Sequence, residues 1–152
     1  MAESAAKLAT VRRGFALFNA GDMETLYTEV FHPDIDYSGD PDISALAGFP
    51  VEAHGVEAVR AVWEAFFGMF DEIHLSEVEV FSGEGDSVFG RAHMVARGGA
   101  SEVPIDAPFH FTWELCDGRW RFLSTKLDEG AAAAALREFI SVYRRRPGPA
   151  PR

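Results

Sequence analysis

Hydrophobic and polar positions alternate through residues 109–128, and the alternation is interrupted by the pair Asp117-Gly118. Two alternating runs joined by Asp-Gly read as a β-hairpin with a two-residue turn, because both turn positions need positive φ, which Asp and Gly tolerate. With that turn, Cys116 opposes Arg119, Leu115 opposes Trp120, Glu114 opposes Arg121, Trp113 opposes Phe122 and Phe111 opposes Ser124. Opposed residues share a face. Phe109, Phe111, Trp113, Leu115, Trp120 and Phe122 therefore form an apolar face, and His110, Thr112, Glu114, Arg119 and Arg121 form a polar one, with Glu114 and Arg121 placed to pair. The same parity carries Ser124, Lys126 and Asp128 onto the apolar face, where polar groups at one end suggest the floor of a pocket.

Period-two patterns also cover residues 76–81 and 88–97, with turns at Gly83 to Gly85 and at Gly98-Gly99. Four strands with short connections imply an antiparallel meander, and a further short strand is expected at residues 34–37. Upstream the spacing is helical. Leu8, Val11, Phe15 and Phe18 mark a first helix that Gly21 ends; Met23, Leu26, Tyr27 and Val30 mark a second that Asp22 caps and His32-Pro33 terminates. Val56, Val59, Trp63, Phe66, Phe67 and Phe70 form the wide stripe of a third, opened by His54-Gly55. A last helix follows Asp128, with Leu136, Phe139, Ile140 and Tyr143 as its buried stripe. Residues 38–53, rich in Gly, Pro and Asp, read as a long lid or binding loop, although Asp36, Asp40 and Asp42 also suit turns. The expected class is α+β, with N-terminal helices packed on a strongly curved antiparallel sheet, as one domain over residues 3–145 followed by a disordered tail at 146–152.

Composition narrows the function classes. The 152-residue chain carries a net charge of −10, which repels phosphate backbones and argues against nucleic-acid binding. Arg144-Arg145-Arg146 is a short exception at a helix end, where cations complement the helix dipole. Thirteen Phe and three Trp exceed what a minimal core of this size needs, so an aromatic cavity, an oligomer interface and a large core all remain open. Cys116 is the only cysteine, which suits a reducing cytoplasm. No apolar segment of signal-peptide or membrane-spanning length is present, so a soluble cytoplasmic protein without a membrane partner is expected. The five histidines lack metal-ligand spacing, and there is no phosphate-binding loop or nucleophile elbow; neither metal nor cofactor is expected.

Phe18-Asn-Ala-Gly-Asp22 at the first helix junction, His54-Gly-Val-Glu-Ala-Val-Arg60 opening the third helix, and the Asp117-Gly118 hairpin together give a resemblance. Over roughly residues 5–139 the chain resembles the nuclear transport factor 2-like superfamily, in its SnoaL-like and ketosteroid isomerase-like branch. The resemblance implies a cone-like fold, a hydrophobic small molecule in the cone, cofactor-independent acid/base chemistry of cyclase, isomerase or hydrolase type, and a homodimer. The same fold also hosts non-catalytic binding and scaffold proteins. Ketosteroid isomerases carry a tyrosine where this chain has Gly14, and their base precedes a proline in a place that Asp40-Pro41 could fill. Their second oxyanion donor falls near Phe109 or His110. Limonene epoxide hydrolases resemble the chain at Arg91-Ala-His93 and Asp128, with His93 replacing an acid. SnoaL-like cyclases place their acid/base aspartate at the position of Asp128.

These correspondences make Asp128, His93, Arg91 and Asp40 the candidate catalytic residues. Tyr37, Trp63, Phe67, Phe111, Trp113, Phe122 and Lys126 are the candidate substrate contacts. Each has a plainer reading. Asp128 also suits the N-cap of the last helix, and Lys126 could neutralise it. Arg91 and His93 share a strand face with Phe89, whereas Ala92, Met94 and Ala96 form the cleaner core surface.

Overall fold

The computed structural model describes residues 2–98 and 104–145. The chain begins with helices α1 (Ala2–Asn19) and α2 (Met23–Thr25), then a π-helical turn over Leu26–Val30 leading into β1 (Phe31–Ser38). Asp22 caps α2 by accepting the Thr25 N–H, as expected. Helical backbone continues through Val30, the last residue of the expected apolar set, and ends there because Phe31 already has extended backbone; His32-Pro33 lies within β1 rather than terminating the helix. Between Phe31 and Asp36 the register of that strand against its neighbour shifts, a place where a residue without an N–H is tolerated.

The expected 38–53 loop is instead structured. It holds α3 (Pro41–Ala47) and the short strand β2 (Glu52–His54). Asp40 is the N-cap of α3 and Pro41 its first residue, while Gly48 closes it with φ +79 in the left-handed region. Helix α4 (Val56–Phe67) follows, then β3 (Glu72–Ser82), β4 (Ser87–Arg97), β5 (Ile105–Cys116), β6 (Arg119–Leu127) and α5 (Ala131–Arg145). Gly99, in an expected turn, and the 146–152 tail lie outside the described residues.

One curved six-stranded sheet has the order β2-β1-β6-β5-β4-β3. It is mixed rather than wholly antiparallel, since β1 runs parallel to β6 and every other pair is antiparallel. The architecture is α+β, consistent with the cone-like fold. The inner face of the sheet carries Val88, Ala92, Met94, Trp113, Leu123 and Leu127, all buried. One part of the core joins these to Val11 and Phe15 of α1 and Val59 and Trp63 of α4; the other joins them to Ile43 of α3 and Leu136 and Ile140 of α5.

The hairpin turn forms as expected, with positive φ at Asp117 and Gly118, and Cys116 and Leu115 oppose Arg119 and Trp120. Beyond that the pairing differs. The register shifts by one residue, so Glu114 opposes Phe122, Trp113 opposes Leu123 and Phe111 opposes Thr125. Arg121 is the extra residue of a β-bulge, and a shift of one residue moves every later side chain to the other face. Leu123, Thr125 and Leu127 face inward, while Phe122, Ser124, Lys126 and Asp128 face out. Arg121 consequently pairs with Asp36 at 2.8 Å rather than with Glu114.

Candidate functional site

The helices and the inner sheet face enclose a cavity of ≈ 100 Å³. Its wall is apolar, half of it aromatic and much of the rest aliphatic. Phe109, Phe111 and Trp113 alternate along β5, as their parity predicts, and Trp120 enters from β6. Trp63, Phe66 and Phe67 come from the stripe of α4, and Phe15 and Phe18 from α1. The rings meet edge-on or stacked: Trp63 against Phe67 at 5.5 Å and 71°, Phe111 against Trp113 at 5.4 Å and 20°. Both are favoured aromatic arrangements.

Polar groups gather in one corner. Tyr37 of β1 shares a hydrogen bond of 3.0 Å with Thr125 of β6, and the Trp63 indole packs edge-on against the Tyr37 ring at 5.9 Å and 81°. Ser44 of α3 belongs to the same corner: a side chain at Gly39 would meet both Ser44 Oγ and the Tyr37 hydroxyl, at 3.0 and 3.2 Å. Burial pushes the Tyr37 phenol up, an effect that the Thr125 hydrogen bond partly offsets and the Asp40 charge reinforces.

Asp40 closes this corner. Its Oδ1 accepts the N–H groups of Asp42 and Ile43 at 3.0 and 3.1 Å, capping α3, and its Oδ2 accepts the Leu127 N–H at 2.9 Å. The carboxylate thus fastens α3 to the end of β6 while lining the cavity. Of the about four lone-pair sites on a carboxylate, three are engaged.

The cavity brings together six of the residues singled out from the sequence: Tyr37, Asp40, Trp63, Phe67, Phe111 and Trp113. The other five, Arg91, His93, Phe122, Lys126 and Asp128, lie on the outer face of the sheet. The position expected for Asp128 and Lys126 at the inner end of the cavity, and for Phe122 in its wall, is overturned by the Arg121 bulge. Arg91 and His93 face out because they oppose His110 and Pro108, while their neighbours Ala92 and Met94 are buried on the inner side. Asp128 does not cap the last helix either. That helix starts at Ala131, and the Asp128 carboxylate lies 2.8 Å from His110 Nε2.

The outer face carries its own ion pairs. His93 Nδ1 lies 2.6 Å from Asp106 and its Nε2 lies 3.5 Å from Glu77. The Asp106 hydrogen bond raises the His93 pKa, helped by the charges of Asp106, Glu77 and Asp128. Arg91 pairs with Glu79 at 3.0 Å. Asp36 is held below the usual carboxylate range by hydrogen bonds from His54 and Arg121. Among the described residues one group brings three metal-type ligands together, His32, Cys116 and Asp117, with their ligand atoms within 4.8 Å of one another at the exposed hairpin end. None of the three lines the cavity. Burial and the Asp117 carboxylate push the Cys116 thiol up, away from the thiolate a metal takes, and His32 Nδ1 is already occupied by the Asp34 N–H at 3.0 Å.

Thr125, Ser44 and Trp120 complete the cavity wall, although sequence reasoning does not mark them as contacts. A signal for Thr125 exists in the sequence. Trp120 and Phe122 keep one parity while Leu123, Thr125 and Leu127 keep the other, and two overlapping phases in a single strand mark a bulge.

The SnoaL-like domain family matches residues 11–123, and the chain belongs to that family. No curated protein matches significantly. Among solved structures, TerC co-crystallized with polyporic acid superposes with a TM-score of 0.74 at 17% identity, covering 89% of this chain and 98% of its own. A SnoaL-like candidate polyketide cyclase from Jannaschia sp. superposes at 0.72 with 20% identity and 95% of both chains. IdmH, a candidate polyketide cyclase from Streptomyces antibioticus, superposes at 0.68 with 20% identity, covering 86% of this chain and 97% of its own. At these identities the likeness shows the fold. Among the described residues no helix is long and apolar enough to cross a membrane.

Proposed function

We propose that this SnoaL-like domain takes a compact, neutral, largely apolar molecule into its cavity and performs cofactor-independent acid/base chemistry of cyclase or isomerase type on it. In this reading Asp40 is the acid/base carboxylate and the Tyr37 hydroxyl orients the substrate. The observation that carries it is the segregation of the cavity wall: apolar, of aromatic and aliphatic side chains, with Tyr37, Asp40, Ser44 and Thr125 gathered in one corner and no Lys, Arg or His among the described residues that line it. Apolar cavities with a few convergent polar groups are the usual form of a small-molecule site. The volume of ≈ 100 Å³ is below the ~300–1,000 Å³ of drug-sized pockets and closer to the ~150 Å³ that admits benzene. Single-ring compounds therefore suit it better than polycyclic ones. TerC, co-crystallized with polyporic acid, supports small-molecule binding, and the two candidate cyclases support the class of reaction.

A second reading, binding without turnover, draws on the three amide hydrogen bonds already held by Asp40. Deuterium wash-in separates the two. Cyclohexanone in D₂O should exchange its α-protons faster with the protein than in buffer, and Asp40→Asn should abolish that acceleration while cyclohexanone still binds. Binding without accelerated exchange would leave the second reading standing.

A homodimer formed through the outer sheet face belongs to the same proposal, since Phe81 and Phe89 oppose one another there and are 50% and 44% exposed. So does a single domain over residues 3–145 working in the cytoplasm, as the composition and the lone cysteine suggest.

A further inference from the structure

Ser44 of α3 is the one buried polar residue among the described residues, 5% exposed, and it lines the cavity. The buried side-chain polar atoms that are both unpartnered and sealed off are the indole nitrogens of Trp113 and Trp120. Ser44 Oγ is not one of them, although it makes no hydrogen bond to any described residue. The hydroxyl is therefore unpartnered but open, and the space it borders is the cavity. Buried polar side chains are almost always paired, so this exception calls for an explanation.

The helix offers this hydroxyl a partner that it does not take. Helical serines and threonines can bond back to the carbonyl four residues earlier, and Thr10 and Thr28 do so, to Ala6 at 3.1 Å and to Glu24 at 2.9 Å. For Ser44 that carbonyl belongs to Asp40. It receives the Ser44 N–H at 2.9 Å and not the hydroxyl. The hydroxyl stands instead beside that of Tyr37, since a Cβ at Gly39 would lie 3.0 Å from Ser44 Oγ and 3.2 Å from the Tyr37 oxygen. Gly39 is not among the residues of positive φ, so what a glycine supplies there is room beside the two hydroxyls.

Tyr37 and Thr125 share one hydrogen bond, so whichever of them donates, the other keeps its O–H. With Ser44, the corner holds two O–H donors that no described residue takes up. A carbonyl oxygen brings two lone pairs and no proton of its own, which suits such a pair. A carboxylate would suit the donors too, but it would face the Asp40 charge, and no cation among the described residues lines the cavity. We infer that Ser44 is a specificity-determining hydrogen-bond donor to the carbonyl oxygen of the ligand, making the ligand class a single-ring ketone rather than a hydrocarbon or an acid. The inference rests on the cavity being the ligand site. It adds that α3 supplies a recognition group one turn after the Asp40 cap.

The test uses the full chain with an isosteric pair, cyclohexanone and methylenecyclohexane, which differ in C=O against C=CH₂. Affinities are measured for wild type and Ser44→Ala, since alanine removes the hydroxyl, keeps the Cβ and favours helix. Wild type should prefer the ketone, and that preference should fall about tenfold in the variant, the scale of one lost hydrogen bond. No preference in wild type, or an unchanged one in the variant, overturns the inference while leaving the cavity reading intact. Failure of wild type to bind either probe overturns both.

The infrared C=O stretch of bound cyclohexanone gives a second readout, whose first part needs no variant to fold. A donated hydrogen bond lowers that frequency, so the band in wild type should lie below its position in hexane. In Ser44→Ala it should move back toward the hexane position. A wild-type band at the hexane position overturns the inference. So does a lowered band that Ser44→Ala leaves in place, because the donor would then be the Tyr37–Thr125 pair alone.

Discussion

His110 Nε2 lies 2.8 Å from the carboxylate of Asp128, on the face of the sheet turned away from the cavity. The pair exists because Arg121 is an extra residue in β6. Were Arg121 paired with Glu114 instead, Asp128 would project inward beside Ala107 and Phe109, where a carboxylate needs a partner or a proton. With the bulge, Asp128 reaches a half-exposed histidine.

Asp128→Asn should therefore leave cyclohexanone affinity unchanged. It should shift stability by no more than about 1 kcal/mol, the scale of an exposed ion pair. Urea denaturation and ligand titration on the same variant check both parts. A tenfold loss of affinity would place Asp128 at the site after all.

Deleting Arg121 should be tolerated. The deletion removes the extra residue and leaves Phe122 opposite Glu114 and Leu123 opposite Trp113, so every later side chain keeps its face. What is lost is the Arg121–Asp36 ion pair, worth about 1 kcal/mol or less at a partly exposed site. The expected outcome is a cooperative thermal transition with a small fall in melting temperature. A variant lacking that transition would show that the bulge itself is needed for the fold.

Gly14→Ala pits two effects against each other. Alanine gains up to about 1 kcal/mol in a helix interior, but its Cβ would lie 2.2 Å from Trp120, and overpacking costs about 1–3 kcal/mol. Overpacking should win, giving a lower melting temperature. Trp120→Phe in the same chain should recover part of the loss, because the clash is with the outer edge of the indole.

The His93 pKa lies above its ordinary 6.5 because Asp106 hydrogen-bonds to it. Folding thus favours the protonated form. The resulting stabilisation is full below the unfolded pKa and fades as pH rises through the folded value. Asp106→Asn should bring the His93 midpoint down in an NMR titration and flatten the fall of stability above pH ~6.5. An unmoved midpoint would mean that Glu77 and Asp128, not Asp106, set it.

Sedimentation addresses the sheet face. Wild type should sediment as a dimer at micromolar concentration, and Phe89→Lys, which puts a charge beside exposed Phe81, should sediment as a monomer with unchanged melting of the fold. Monomeric wild type would remove the dimer from the proposal.

Local periodicity makes much of this architecture readable. The Asp117-Gly118 turn follows from which residues tolerate positive φ, and the aromatic wall follows from the stripe of α4 and the alternation of β5, so periodicity alone points to Trp63, Phe67, Phe111 and Trp113. Asp40 is reached through the resemblance, whose base precedes a proline, and Tyr37 through its place at the edge of the expected loop. What those residues do to one another is not legible. The polar corner joins β1, α3, α4 and β6, whose approach depends on the parallel pairing of β1 with β6, and residues 125 and 37 are far apart in the chain.

The sequence by itself determined most of the elements, though not α3 and β2, and the apolar face of most of those, because helical and strand periods are properties of consecutive residues. Tertiary structure alone decided which end of β6 faces the cavity. An extra residue is accommodated in a strand wherever the neighbouring strand and the core above it reward the shifted register, and here burying Leu123 and Leu127 beside Trp113 and Phe109 does so. That non-local gain carried Asp128 to His110 and brought Thr125 to Tyr37.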